Sequence, residues 1–125
     1  MPFAPSILAE KSNEYIKNPK KIASLFMMHA FDCIDKNIEK ISATIHPRDK
    51  TARAQLVYKK INPSYWSLIK YFEKRTGCSA VLNTSFNLHG YPVVNDPQNA
   101  LYVFLNSGLK YIALGNYMIR KINNN

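Results

Sequence analysis

The stretch 62–90 constrains the fold of this chain more than any other. Asn62 or Ser64 can cap a helix there, because either side chain accepts a hydrogen bond from a free first-turn N–H. Tyr65, Leu68, Ile69 and Phe72 then recur at helical spacing, with Trp66 on that apolar side or its flank, while Lys70, Glu73 and Lys74 face water. Gly77 supplies a left-handed C-terminal residue. Residues 78–82 follow as a run of small and branched side chains suited to a buried strand, and they lead into Asn83-Thr84-Ser85-Phe86-Asn87-Leu88-His89-Gly90. A helix feeding a buried strand that opens into a polar loop predicts a sheet with helices packed on it.

The rest of the chain supplies compatible pieces. Asp96-Pro97 opens a second helix, with Asp as cap and Pro in the first turn. Ala100, Leu101, Phe104 and Leu105 line its apolar face, and Ser107-Gly108 ends it. Residues 111–114 and 117–120 read as two strands around Gly115-Asn116. Upstream, residues 6–17 read as a short helix stopped by Asn18-Pro19, and residues 22–33 as a buried strand whose Met27-Met28 pair also suits a helix. Residues 35–40 form a helical turn or loop, 43–50 an exposed connection, and 54–58 a strand. The predicted fold class is α/β (α+β), a single open sheet with helices packed on it. With 125 residues, the chain is long enough for one core, placed over 1–122, with 123–125 a frayed tail.

Charge is the unusual part of the composition: 17 Lys and Arg against 8 Asp and Glu, a net +9. An excess of this size points to an anionic partner. Only Arg48, Arg53, Arg75 and Arg120 carry the guanidinium fork that suits phosphate; the rest are Lys, scattered in runs of at most two. Most of the excess therefore reads as solvated surface, and the remainder as a site for a nucleotide or a polymer. Cys33 and Cys78 lie far apart, with no C-x-x-C and no paired His, which argues against zinc and for reduced thiols. The N-terminus has no signal-peptide pattern, and the longest apolar segment, 22–31, is broken by Ser24 and His29. The expected location is cytoplasmic, without a membrane span.

Two clusters could carry chemistry. The loop 83–90 holds amides, hydroxyls, an imidazole and a glycine directly after a strand, where open sheets tend to place ligands. The same residue types also serve ordinary turns, and density alone divides the two readings evenly. The second cluster, His46-Pro47-Arg48-Asp49-Lys50-Thr51-Ala52-Arg53-Ala54-Gln55, offers an Arg at the start of a strand that can grip a phosphate in two-point fashion. For Arg48 and Lys50 alone, a solvated connection is the simpler account. His29 reads as a core imidazole, Asp32 and Asp35 as capping or solvated groups, and Cys78 as a small core residue.

Across these clusters the chain resembles the C-terminal domain of the O-carbamoyltransferases that act on nodulation factors and on aminoglycoside or other antibiotics. Phe3-Ala4-Pro5-Ser6-Ile7-Leu8-Ala9-Glu10 is similar to that family's P-F-A-P-S-V-L-x-E, and Ser24-Leu25-Phe26-Met27 to its S-P-[FY]-M. Asp49-Lys50-Thr51-Ala52-Arg53-Ala54-Gln55-Leu56-Val57 resembles D-G-T-A-R-x-Q-T-V. Thr76-Gly77 followed by Val81-Leu82-Asn83-Thr84-Ser85-Phe86-Asn87 resembles T-G-x-P-x-L-L-N-T-S-F-N, continued by Gly90-Tyr91-Pro92-Val93-Val94 and Asp96-Pro97.

The resemblance implies a YrdC-like twisted open sheet whose basic cavity binds ATP, entering with Mg as a substrate. Carbamoyl phosphate and ATP would yield carbamoyl adenylate and pyrophosphate. A larger actin-like, metal-binding N-terminal domain would pass the carbamoyl group to a hydroxyl acceptor. Carried onto this sequence, Arg53 would hold a phosphate or the acyl-phosphate oxygens. Asn83, Thr84, Ser85 and Asn87 would line the nucleotide pocket, and Arg48 and Lys50 would add phosphate contacts. No catalytic residue and no metal site are assigned within this chain.

The departures shape the expectation. Met1 stands at a family Arg, Lys50 at a Gly, Leu56 at a Thr and Leu25 at a Pro, and the basic segment before P-F-A-P and the metal-binding domain are absent. The chain is therefore expected to be a truncated fragment, split subunit or remnant of a carbamoyltransferase that needs a separate N-terminal domain for full activity. The alternative is a non-catalytic basic module that binds RNA or a nucleotide. The aromatics sit at core spacing and are not interleaved with Arg as stacking platforms, which argues against nucleic acid.

Overall fold

The computed structural model describes residues 3–122, so Met1 and the tail 123–125 lie outside the described residues. The chain divides into two compact units, Met1–Thr84 and Ser85–Asn125. In the first unit, β1 (Ala4–Leu8), β4 (Gln55–Val57) and β5 (Ala80–Asn83) form a sheet in the order β4-β1-β5. β1 runs parallel to β4, with Ser6 opposite Gln55, and antiparallel to β5, with Ala4 opposite Asn83. A second, two-stranded sheet pairs β2 (Phe31–Asp32) with β3 (Thr51–Ala52).

All five residues of β1 are buried, because both faces of the sheet are covered. Successive side chains on a strand point to opposite faces, and the two cores follow that alternation. Ile7, Leu56 and Ala80 pack with Tyr15, Ile16, Phe31 and Ala54 on one side. Leu8 and Val57 pack with Ile69 of the helix α1 (Pro63–Thr76) on the other, with Val81 against them.

Helix α1 starts and stops where local chemistry dictates. The Asn62 side chain accepts from the Tyr65 N–H, and Gly77 takes φ 69 at the other end. Its predicted apolar face is only partly used: Ile69 is buried, whereas Leu68 and Phe72 are exposed. Glu73, expected to face water, instead accepts from Ser79 Oγ at 2.6 Å and pairs with Lys70, tying the helix to the chain entering β5. The buried Tyr15 hydroxyl makes the companion contact, accepting from the Ser79 N–H at 2.7 Å.

Two expectations upstream are corrected. Residues 6–17 are not a helix: the chain is β1 as far as Leu8 and a 3₁₀ segment over Ala9–Glu14. Pairing on both sides of β1 satisfies its backbone and overrides the helical pattern. Residues 22–33 are not a buried strand: the strand covers Phe31–Asp32, with Cys33 bridged to Ile16, and the residues before it are not extended and paired as a strand. Lys21, Ser24 and Met27 have φ of 50, 36 and 58, and left-handed residues interrupt an extended run. Phe26, Met28 and His29 are consequently exposed, so His29 is not a core imidazole.

In the second unit, the helix α2 (Pro97–Leu105) is capped by Asp96, whose side chain accepts from the Asn99 N–H. Ala100 and Phe104 pack with Ile112 of β6 (Tyr111–Leu114), against which Phe86, Val94, Leu114 and Ile119 lie. β7 (Tyr117–Arg120) returns antiparallel after Gly115, whose φ of 58 forms the turn. Val103 is buried in place of the exposed Leu105. The mixed α+β composition is as expected, while the strands of the described residues form three small sheets, not one. Among the described residues, no helix is long and apolar enough to cross a membrane.

Candidate functional site

One end of the three-stranded sheet carries a polar cluster built by alternation. On the face covered by α1, Leu8, Val57 and Val81 sit under Ile69. Two residues further toward the same end, that face presents Ser6 on β1, Gln55 on β4 and Asn83 on β5. The three interlock: Ser6 Oγ donates to Gln55 Oε1 at 2.7 Å, and Asn83 Nδ2 donates to Ser6 Oγ at 3.0 Å and to Gln55 Oε1 at 2.9 Å. Gln55 Nε2 then donates to the Leu25 carbonyl at 3.0 Å, and Ser24 Oγ to the Ala54 carbonyl at 2.7 Å. Four segments far apart in sequence therefore meet at one sheet end.

Arg53 belongs to this end. Burial alternates along 51–56, with Ala52, Ala54 and Leu56 buried and Thr51, Arg53 and Gln55 half-buried. Arg53 therefore projects on the Gln55 side. Among the described residues, its guanidinium has no hydrogen-bond or ion-pair partner. The Asn83 amide oxygen likewise accepts no hydrogen bond among the described residues, because its amide nitrogen supplies both internal bonds. A cation and an acceptor thus remain available on one face. Thr84, next to Asn83, is exposed.

Arg48 and Lys50 are held differently. They lie in an exposed turn closed by the Lys50 N–H donating to the His46 carbonyl at 3.0 Å. Asp49 accepts from Thr51 Oγ1 at 2.8 Å and from the Thr51 N–H at 3.0 Å. These hydrogen bonds, with His46 Nδ1 at 3.1 Å, hold its carboxyl below the usual carboxylate range. Asp49 thereby braces the turn. Among the described residues, no hydrogen bond or ion pair joins Arg48 or Lys50 to the Ser6, Gln55 and Asn83 cluster. Lys50, at φ 55, occupies the left-handed region, which glycine, the residue the family pattern has at this position, enters without a Cβ penalty.

Ser85 and Asn87 belong to the second unit, Ser85 being exposed. The Asn87 amide donates to the Leu88 carbonyl at 3.0 Å and the Tyr91 carbonyl at 2.9 Å, closing the turn at Gly90, whose φ is 81. A groove of about 490 Å³ in this unit is lined by Leu88, Tyr91, Val93, Asn99, Tyr102 and Val103, and none of the sequence-predicted site residues lines it. Cys78 Sγ lies 3.3 Å from the Ala80 carbonyl, with the Tyr15 hydroxyl 3.8 Å away, a structural setting. Among the described residues, no three His, Cys, Asp or Glu side chains are grouped to hold a metal ion.

Ser6 and Gln55 lie outside the residues that loop chemistry singles out. The available signal was their spacing: each stands two residues before an apolar residue that faces the helix, Leu8 and Val57, and so shares its face.

These features define the class, an α+β unit that gathers polar side chains and one arginine at one end of a small sheet. The particular family follows from comparison: residues 1–121 match the family described as carbamoyltransferase C-terminus, and the chain belongs to it. The uncharacterized protein MJ1051 of Methanocaldococcus jannaschii is 40% identical over 122 residues, covering 98% of this chain and 23% of that protein. The nodulation protein NolNO of Sinorhizobium fredii is 36% identical over 120 residues, 96% of this chain and 18% of its own length. The nodulation protein NolO of Bradyrhizobium diazoefficiens is also 36% identical over 120 residues, 96% of this chain and 22% of its own. The chain thus spans about a fifth of the length of the curated relatives it matches.

Proposed function

We propose that this chain is the ATP- and carbamoyl-phosphate-binding part of an O-carbamoyltransferase, acting with a separate metal-binding domain that delivers the carbamoyl group to a hydroxyl acceptor. The observation that carries the reading is the sheet-end cluster, where Ser6, Gln55 and Asn83 are locked together beside Arg53, which has no partner among the described residues.

The residue types suit formation of carbamoyl adenylate. Water cleaves carbamoyl phosphate to carbamate and inorganic phosphate; a carbamate oxygen then attacks the α-phosphorus of ATP, and the bond to pyrophosphate breaks as the carbamoyl adenylate bond forms. Negative charge builds on the phosphoryl oxygens, where the Arg53 fork stabilises it without a covalent intermediate. The Asn83 amide oxygen, which accepts no hydrogen bond among the described residues, suits acceptance from the carbamoyl N–H₂, and Thr84 offers a hydroxyl beside it. Mg enters as the counter-ion of ATP. The interlocked amides hold Asn83 in one orientation before substrate arrives, which reduces the ordering cost of binding.

Calorimetric titration of the folded chain with Mg-ATP and with carbamoyl phosphate tests the reading. Wild type is expected to bind, and Arg53→Ala to weaken binding at least about tenfold, the scale of a lost hydrogen bond to a charged group. Absence of any nucleotide heat from the intact chain overturns it. Ser85→Ala is the corresponding test of the residue that the family resemblance assigns in the second unit.

A further inference from the structure

Residues 24–28 combine exposed apolar side chains, a strained backbone and specific anchoring. Phe26 is 73% exposed and Met28 81% exposed, so burial does not hold them. On either side of Phe26, Ser24 and Met27 have φ of 36 and 58, a region that residues with a Cβ enter only against a steric penalty. Strain of this kind persists where the surroundings impose it, and it concentrates at ligand sites. The imposing contacts are Ser24 Oγ on the Ala54 carbonyl at 2.7 Å, the Leu56 N–H on the Ser24 carbonyl at 2.9 Å, and Gln55 Nε2 on the Leu25 carbonyl at 3.0 Å.

Those three bonds dock residues 24 and 25 against the segment that follows Arg53. The third makes the loop an extension of the Ser6, Gln55 and Asn83 network. Phe26 comes one residue after the carbonyl that Gln55 holds, and Arg53 two residues before Gln55. Phe26 and Arg53 thus each stand within two positions of one end of the same hydrogen bond. A nucleotide fits that juxtaposition, with a flat, weakly polar base at one end and an anionic phosphate chain at the other.

We infer that Phe26 is the stacking platform for the base of the nucleotide whose phosphates Arg53 takes, an inference that rests on the nucleotide reading above. The face of a phenyl ring stacks on any base, and covering both removes apolar surface from water. The anchored loop presents the ring in a fixed place, so the ring is not ordered at the moment of binding. Met28, exposed two residues on, can close over the edge of the base because its unbranched thioether adapts to the shape beside it.

The test compares ATP with inorganic tripolyphosphate, which keeps the phosphate charge and lacks the base, on the whole chain and on Phe26→Ala, Phe26→Trp and Ile61→Ala. Ile61 is a similarly exposed control, at 62%. The expected result is that Phe26→Ala weakens ATP binding by about tenfold or more. Phe26→Ala should leave tripolyphosphate binding unchanged, and Ile61→Ala should bind both ligands as wild type does. Phe26→Trp should retain ATP affinity, with the introduced indole quenched by ATP and not by tripolyphosphate. Equal ATP affinity for wild type and Phe26→Ala overturns the inference while leaving the nucleotide reading intact, as does equal loss of ATP and tripolyphosphate. Failure of the wild type to bind ATP overturns the nucleotide reading itself, and the inference with it.

Discussion

Asn83 reaches across a strand to Gln55: its Nδ2 donates to Gln55 Oε1 at 2.9 Å, although β1 lies between their strands and they stand 28 positions apart. The Ser6 hydroxyl on the intervening strand completes the link, accepting from Asn83 at 3.0 Å and donating to Gln55 at 2.7 Å. Ser6 is fully buried, so each partner satisfies a group that water does not reach.

The first prediction tests this three-way link. Asn83→Ala removes both donors of the amide and should lower the unfolding free energy by about 1–3 kcal/mol. Ser6→Ala introduced into that background should cost less than Ser6→Ala alone, with a coupling of about 0.5 kcal/mol or more, because the two share a network. Urea titrations of the single and double variants measure the coupling. Strict additivity would mean that the three side chains act independently.

The second prediction concerns Lys50, which sits at φ 55 where the family pattern has glycine. Glycine enters that region freely, although it also loses more chain entropy on folding than lysine. Lys50→Gly should therefore stabilise the fold by a net ~0.5–1 kcal/mol and raise the melting temperature by a few degrees. A lower melting temperature would show that the lysine side chain contributes more than its backbone costs.

The third prediction is an acid limb in the stability profile. Hydrogen bonds from Lys70 and from Ser79 hold the Glu73 carboxyl below its ordinary 4.5. A carboxylate depressed in the folded state stabilises the fold in full above its unfolded value and loses that contribution as pH falls through the folded value. Stability should thus be level near neutrality and decline from about pH 4.5 downward. Glu73→Gln should be less stable at pH 7 and show a shallower decline. Denaturation midpoints measured from pH 7 to pH 2 check both, and parallel slopes for the two proteins would refute the assignment.

Both helix starts were readable from the sequence, as was the end of α1. Asn62 and Asp96 cap through backbone groups three residues on, and Gly77 adopts its conformation without distant help. The hairpin of β6 and β7 was readable for the same reason, since Gly115 makes its turn locally. Residues 22–33 depart from the expected strand because apolar content alone does not bury a segment: left-handed Ser24 and Met27 and the docking of Ser24 on Ala54 turn Phe26 and Met28 outward. Leu68 and Phe72 follow the same logic, recurring at helical spacing on a helix that turns only part of its apolar surface inward.

The candidate site divides along that line. The order of residues names Arg53, Asn83 and Thr84 through a family pattern and determines what each side chain can donate or accept. Ser6 and Gln55 stand within the same patterns, and their role comes from the pairing of the strands. Strand register decided it, placing Ser6 opposite Gln55 and Ala4 opposite Asn83. Caps and turns are local in sequence because their partners lie within a few residues. The bond from Asn83 to Ser6 spans 77 positions, so only the packed sheet, buried on both faces, brings its ends together.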